Sequence, residues 1–138
     1  MNMSDAGLKL LMLREGSRSR AYKDTKGILT IGVGHTGPEV KEGLVWSDKQ
    51  IMEQLHKDVA ITEKCLDDTV TVLLGQEQVD ALCSFIFNVG VNAFRRSTML
   101  RYINQGMMKE AAAEFDRWHI PPEITSRRNS EKSQFQGT

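Results

Sequence analysis

The sequence is poor in residues that cross-link or stiffen a chain, with two cysteines and three prolines in 138 residues. Two cysteines cannot supply the disulfide framework of a small secreted domain, so we expect Cys65 and Cys83 to be buried free thiols. The apolar stretch at residues 10–13 is too short for a signal-peptide core or a membrane span. We therefore expect a chain that stays in the cytoplasm until another protein releases it.

A net charge is also missing, because 18 basic residues balance 18 acidic ones and the pI is near 6.8. A nucleic-acid-binding domain normally carries a basic excess, so we exclude that class. The charge is uneven along the chain, at +3 for residues 1–36, −6 for 37–80 and +3 for 81–138. Apolar residues make up 40% and charged residues 26% of the chain. This balance, without a low-complexity linker, predicts a single globular domain over 1–138.

The first part of the chain predicts one helix followed by a small sheet. Ser4 is a favourable N-cap, and Gly16 follows Glu15 where a helix end is favoured. Residues 17–34 then change to short extended pieces separated by turn residues. We predict a helix that ends at Glu15 and an antiparallel sheet directly after it.

The rest of the chain has helical periodicity. Ser47 and Gln50 form a capping box at the start of a helix over residues 47–66. Residues 76–89 are apolar nearly all round, which is typical of a buried central helix, and Gly90 ends it. Shorter helices are predicted at 98–104, 107–118 and 125–134.

Two acids and one hydroxyl fall where the first helix meets the sheet. Glu15 ends the helix, Asp24 ends the first strand and Thr30 lies on the next strand, so all three can face one cleft. Hydrolysis of a glycosidic bond needs a carboxylic acid that protonates the leaving oxygen and a carboxylate that activates water or attacks the sugar. Paired acids at this spacing also occur by chance, so spacing alone is weak evidence for a glycosidase.

The residues around these positions form a longer motif. It comprises Arg14-Glu15-Gly16, Ala21-Tyr22-Lys23-Asp24 and Gly27-Ile28-Leu29-Thr30-Ile31-Gly32-Val33-Gly34-His35-Thr36. This motif closely resembles the signature of the phage-type lysozymes of glycoside hydrolase family 24. Residues 78–90 are similar to the family's central helix and the turn after it, and 111–118 match a third block.

The resemblance implies a lysozyme-like fold, which is mainly α within the α+β class and has two lobes. A small antiparallel sheet lobe would span about 16–36, a connecting helix about 47–66 and a larger helical lobe about 67–138. The cleft would lie between the lobes. We expect no cofactor and no metal, because His35, His56 and His119 lack the spacing of metal ligands.

The resemblance also assigns roles to the three cleft residues. Glu15 would be the general acid, Asp24 the general base or electrostatic partner, and Thr30 the residue that positions the attacking water. The implied reaction inverts the configuration at the anomeric carbon. An inverting site leaves room for water between its two carboxyl groups. At the end of the central helix, Asn88 would bind a sugar amide, whereas Tyr22 is either a cleft wall or a packing residue.

Two further contacts are implied. His35 would pair with Asp58 on the connecting helix, and Arg127 or Arg128 would form a salt bridge to Glu15. The C-terminal segment departs from the family, because Ser133 and Gln134 stand where apolar residues are usual. Its face is mostly polar, so the last helix must dock through charge and through Phe135, and we expect the final residues to fray.

The function implied is that of an endolysin. It would hydrolyse the β-1,4 bond between N-acetylmuramic acid and N-acetylglucosamine in bacterial peptidoglycan, act as a monomer and reach the wall with the help of a holin. A lytic transglycosylase, which needs only the acid, is one alternative. A noncatalytic wall-binding or structural module that keeps the fold is another.

Overall fold

The computed structural model describes residues 1–137, and Thr138 lies outside them. The elements in chain order are α1 (Asp5–Glu15), β1 (Arg18–Lys23), β2 (Leu29–Gly32), α2 (Asp48–Thr69), α3 (Gln76–Val89), α4 (Val91–Arg95), α5 (Thr98–Asn104), α6 (Met108–Glu114) and α7 (Thr125–Gln136). Two short 3-10 helices lie at Phe115–Arg117 and Pro122–Ile124. The mainly helical chain with one small antiparallel sheet confirms the predicted fold class.

Helix α1 begins and ends where its capping residues predict. The Ser4 side chain accepts a hydrogen bond from the Gly7 amide at 3.0 Å, which satisfies one of the free donors of the first turn. At the other end, the Gly16 amide donates to the Met12 carbonyl at 2.8 Å. Gly16 has a φ of 76°, a conformation that glycine adopts without strain, so the helix stops directly after Glu15.

Strands β1 and β2 pair in antiparallel register, with Tyr22 opposite Thr30 and Lys23 opposite Leu29. The turn between them is closed by the Asp24 backbone, whose amide donates to the Ile28 carbonyl at 2.9 Å. This tight connection places Asp24 at the end of β1 and Thr30 on the neighbouring strand, as the sequence predicts.

Helix α2 connects the small sheet to the rest of the chain. Its capping box is present, because Ser47 accepts from the Gln50 amide while the Gln50 side chain accepts from the Ser47 amide. The helix runs to Thr69, three residues beyond the predicted end at residue 66. Ile51, Leu55 and Val59 of α2 pack with Leu11 and Val33 in one apolar cluster at the small-lobe end.

Helix α3 is the buried centre of the helical lobe. The Phe85 ring lies 5.3 Å from the rings of Phe115 and Trp118 and 6.4 Å from that of Phe94, measured between centroids, in edge-to-face geometries. Such pairs stabilise a core beyond their buried area. Gly90 ends α3 as predicted, but the chain then forms the unpredicted helix α4, which buries Phe94 completely.

The predicted short helices match the structure to different degrees. Helix α5 has the predicted bounds, whereas the predicted helix over 107–118 is α6 followed by a 3-10 helix. The C-terminal helix α7 is docked, with Arg128 and Glu131 fully buried and Phe135 only 4% exposed. Docking therefore uses charge and Phe135, as the polar face requires.

Both cysteines lie buried as free thiols, which confirms the expectation for Cys65 and Cys83. Burial raises the pKa of the Cys83 thiol to about 12, so this thiol stays protonated at neutral pH. Over residues 1–137, none of the helices has both the length and the apolar character that crossing a membrane requires.

Candidate active site

Glu15 lies between Arg127 of the C-terminal helix and Gly34 of the loop after β2. Its Oε2 atom accepts a hydrogen bond from Arg127 Nη1 of α7, and its side chain is 15% exposed. On its other side the carboxyl packs against Gly34, where a Cβ atom would come within 2.5 Å of Glu15 Oε1. Gly34 also has a φ of 62°, so both the close approach and the backbone require glycine.

Asp24 combines a turn role with a position at a cavity. Its Oδ1 atom accepts hydrogen bonds from the backbone amides of Lys26 at 2.8 Å and Ile28 at 2.9 Å. These bonds fix the orientation of the carboxyl group. The residue also lines a cavity of about 460 Å³ beside the end of α3.

Thr30 and Tyr22 face each other across the sheet. Thr30 is 4% exposed, and its hydroxyl donates to the Ile28 carbonyl at 3.0 Å. The half-buried ring of Tyr22 lies under the Arg18 guanidinium, with the guanidinium carbon 4.4 Å from the ring centroid. This cation–π contact favours a packing role for Tyr22.

Two cavities lie at the end of α3. Phe87 lines one of about 420 Å³ together with Gly34, His35 and Asp58, and the next residue, Asn88, lines the 460 Å³ cavity that holds Asp24. We call this pair of cavities the cleft. It brings Asp24 and Asn88 together. Of the described residues, those lining it do not include Glu15, Thr30 or Tyr22, although Glu15 lies directly behind Gly34.

His35 joins the small lobe to α2. Its Nδ1 atom lies 2.7 Å from Asp58 Oδ2, which is the predicted pair, and its Nε2 atom lies 2.5 Å from Glu39 Oε1, which is an unpredicted one. Burial lowers the pKa of His35, but the hydrogen bonds to Glu39 and Asp58 outweigh this effect and raise it above its usual value. The contact with His35 in turn lowers the pKa of Glu39.

The two arginines of α7 reach different parts of the site. Arg127 contacts Glu15, whereas Arg128 donates to the Asn88 side-chain oxygen and to the Trp118 carbonyl. Of the two partners left open for Glu15, the structure therefore selects Arg127. Both arginines also bind the buried carboxylate of Glu131.

Sequence reasoning missed two of these partners. Glu39 lies in a loop without periodicity, and its only signal is its position four residues after His35. The link between Glu131 and Ser84 of α3, with 2.5 Å between Glu131 Oε2 and Ser84 Oγ, joins residues 47 positions apart. No local pattern could reveal it.

A small sheet lobe beside a helical lobe, with acidic residues where they meet, is the arrangement of a lysozyme-like glycoside hydrolase. The profile of the family described as phage lysozyme matches residues 13–131. The chain therefore belongs to the phage lysozyme family. It is 39% identical to the endolysin of Salmonella phage P22 over 98% of both chains.

Solved structures agree with this assignment. The fold is similar to that of a P22 lysozyme mutant, with a TM-score of 0.86, 38% identity and 99% of each chain covered. It is also similar to the muramidase domain of SpmX from Asticaccaulis excentricus, with a TM-score of 0.87, 35% identity and 97% of each chain covered. Both confirm the lysozyme-like fold that the sequence implies.

Proposed function

We propose that this phage lysozyme is an endolysin that cleaves the β-1,4 bond between N-acetylmuramic acid and N-acetylglucosamine with inversion. The name of the P22 relative supports the endolysin role. The single observation that carries the mechanism is the placement of two carboxyl groups beside the cleft: Asp24 lines one of its cavities, and Glu15 packs behind Gly34, which lines the other.

Glu15 is the general acid in this proposal. A protonated carboxyl at the junction of the lobes donates its proton to the leaving oxygen as the glycosidic bond breaks. Gly34 leaves room for the carboxyl to approach the cleft, and Arg127 fixes its orientation from the side of α7. The partial exposure of the side chain allows its proton to be replaced from solvent.

Asp24 is the charged partner. Its Oδ1 atom accepts hydrogen bonds from two backbone amides, which fix the orientation of the carboxyl group. In an inverting reaction this carboxylate accepts a proton from water as the water attacks the face of the sugar opposite the leaving group. Thr30 lies on the neighbouring strand, and we propose that its hydroxyl turns from the Ile28 carbonyl to hold that water.

Asn88 binds the substrate in this account. Its Oδ1 atom accepts from Arg128, so the amide is oriented with its Nδ2 donor turned away from that arginine. The residue is exposed and lines the same cavity as Asp24. An N–H donor at this place suits the carbonyl oxygen of an N-acetyl group on the sugar.

The anomeric form of the first products tests inversion. Cleavage of a β-linked glycan with inversion releases α-N-acetylmuramic acid ends, which proton NMR resolves before the anomers equilibrate. We expect the α form to dominate early spectra. The β form as first product would contradict the proposed roles of Asp24 and Thr30.

The cellular setting is also a proposal. We propose that the enzyme acts as a monomer, that it accumulates in the host cytoplasm and that a holin gives it access to peptidoglycan. Co-expression with and without a holin tests the route, with lysis expected only when both are present. Sedimentation at several concentrations tests the monomer.

A further inference from the structure

The contact between Glu15 and Arg127 conflicts with the proposed chemistry when taken alone. A neighbouring guanidinium favours the carboxylate form of a glutamate, whereas a general acid must hold a proton. The pairing is close and partly buried, with side-chain exposures of 10% for Arg127 and 15% for Glu15. A second acceptor for Arg127 would limit its electrostatic pull on Glu15.

Glu131 is placed to be that group. It is fully buried on α7, one turn after Arg127, and its Oε2 atom accepts from Arg127 Nε at 3.1 Å. The same oxygen accepts from Ser84 Oγ at 2.5 Å. Arg127 thus divides its positive charge between Glu15 and Glu131, and it also donates to the Ser84 carbonyl at 2.9 Å.

Glu131 is also linked to the cleft through Arg128. Its Oε1 atom accepts from Arg128, a fully buried arginine whose guanidinium carbon lies 5.0 Å from the centroid of the Phe85 ring. Burial lowers the pKa of Arg128, and the charge of Glu131 opposes this change. Arg128 in turn holds the Asn88 oxygen. One carboxylate is therefore connected both to the proposed acid and to the proposed sugar-binding amide.

We propose that Glu131 is a positioning residue for the cleavage step. By sharing Arg127, it limits the electrostatic pull of that guanidinium on Glu15, and by holding Arg128, it orients Asn88 toward the substrate. The inference rests on the proposed role of Glu15. Glu131 itself contacts no substrate, because it is fully buried beneath the two arginines.

The effect of a substitution on Glu15 depends on all the charged groups around it. On α7 these are Arg127, Arg128 and Glu131, and on α1 the neighbour is Arg14, whose side chain bonds to Ser130 and Gln134 of α7. On the small lobe, His35 follows Gly34, and Asp24 lies on the adjoining cavity wall. Helix α3 faces the cluster with the uncharged Ser84.

Glu131→Gln tests the proposal through the pH dependence of kcat. Removal of one negative charge leaves Arg127 to Glu15 alone, which favours the carboxylate and depletes the acid form. We expect the alkaline limb of the kcat profile to move to lower pH by about 1 unit, the lower end of the range that a nearby charge produces. KM should also rise, because Asn88 loses its support.

Glu114→Gln is the matched control. Glu114 is also nearly buried in the helical lobe and pairs with an arginine, Arg117, at 2.9 Å. Arg117 is largely exposed, and none of the contacts described above joins this pair to Glu15. The control should lower stability without moving the limb. An unshifted limb in folded Glu131→Gln, or an equal shift in both variants, would overturn the proposal.

Ser84→Ala provides a second test if Glu131→Gln does not fold. Without the Ser84 hydroxyl, the Glu131 carboxylate loses one hydrogen-bond donor. Glu131 then attracts Arg127 more strongly and draws it away from Glu15. The alkaline limb should then move to higher pH, opposite to the first variant, and a limb at the wild-type pH would count against the proposal. Glu15→Gln is assayed in parallel: if it stays active, the proposed function fails, rather than the role of Glu131.

Discussion

His35 shows how one side chain gains two partners that come from different kinds of sequence. Asp58 lies on a helix whose periodicity is clear, so the family pattern alone predicts the pair. Glu39 lies in an aperiodic loop, and only the folded chain brings it to within 2.5 Å of His35 Nε2. The resulting ion triad connects the loop after β2 to α2.

The raised pKa of His35 predicts a pH-dependent stability. A histidine with a raised folded pKa contributes stability that is complete below its unfolded pKa, at about 6.5, and is lost as pH rises through the folded value. Glu39, with a lowered pKa, contributes above its unfolded value and loses its contribution at more acidic pH.

The variant His35→Gln tests this dependence. Urea denaturation should show a larger loss of unfolding free energy relative to wild type near pH 5.5 than near pH 9. His56→Gln, which changes the exposed histidine of α2, serves as the control and should show little difference between the two pH values. A pH-independent effect of His35→Gln would reject the charged triad.

The proposed catalytic residues could be predicted because their motif fixes type and spacing together. Glu15 ends a helix at a glycine, and Asp24 begins a turn, so local rules already place both. Tyr22 was left open by the sequence, and its contact with Arg18 favours packing. The role proposed for Glu131 could not be predicted, since it depends on side chains from three separate helices.

At the scale of elements, α7 packs against the rest of the molecule partly through polar side chains. Ser130 and Gln134 lie against α1. Both accept hydrogen bonds from the Arg14 guanidinium, and the shortest N···O distance is 2.9 Å for each residue. Gln134 therefore contributes a hydrogen bond to the docking of α7. The polar face that makes docking difficult to predict is the face that binds Arg14.

Phe135 anchors the end of the same helix. Its ring lies 5.6 Å from that of Phe115, and the residue is 4% exposed. We expect Phe135→Ala to lower the free energy of unfolding by about 3–5 kcal/mol, the usual effect of removing a buried phenylalanine.

Chemical denaturation monitored by circular dichroism measures this loss. Leu73→Ala is the control, because Leu73 is 99% exposed and its truncation should change stability by less than about 0.5 kcal/mol. Equal effects of the two variants would mean that α7 does not pack through Phe135.

The elements that the sequence missed are short. Helix α4 follows a glycine that ends α3, so the pattern indicates a stop, yet the chain restarts at once because Phe94 fills the core. The predicted helix over 107–118 tightens into a 3-10 turn at Phe115, where tertiary packing of that ring decides the geometry. Local periodicity cannot distinguish these outcomes.

At the scale of the whole molecule, two apolar clusters correspond to the two lobes. Helix α2 contributes Ile51 and Leu55 to one cluster and Cys65 and Leu66 to the other, and Met3 packs against both. We propose that the lobes therefore fold as one domain. The cleft lies where the sheet and the turn after β1 approach the end of α3.

The most direct test of the account is mass analysis of the products that the wild-type enzyme, Glu15→Gln and the control Glu63→Gln release from purified peptidoglycan. Glu63 is a half-buried glutamate of α2 that binds the Met3 amide. We expect hydrated fragments with reducing N-acetylmuramic acid ends from the wild type and the control, and none from folded Glu15→Gln, which lacks the transferable proton. Three results would contradict the account: anhydro-sugar ends, no products from the wild type, or turnover by Glu15→Gln at the wild-type rate.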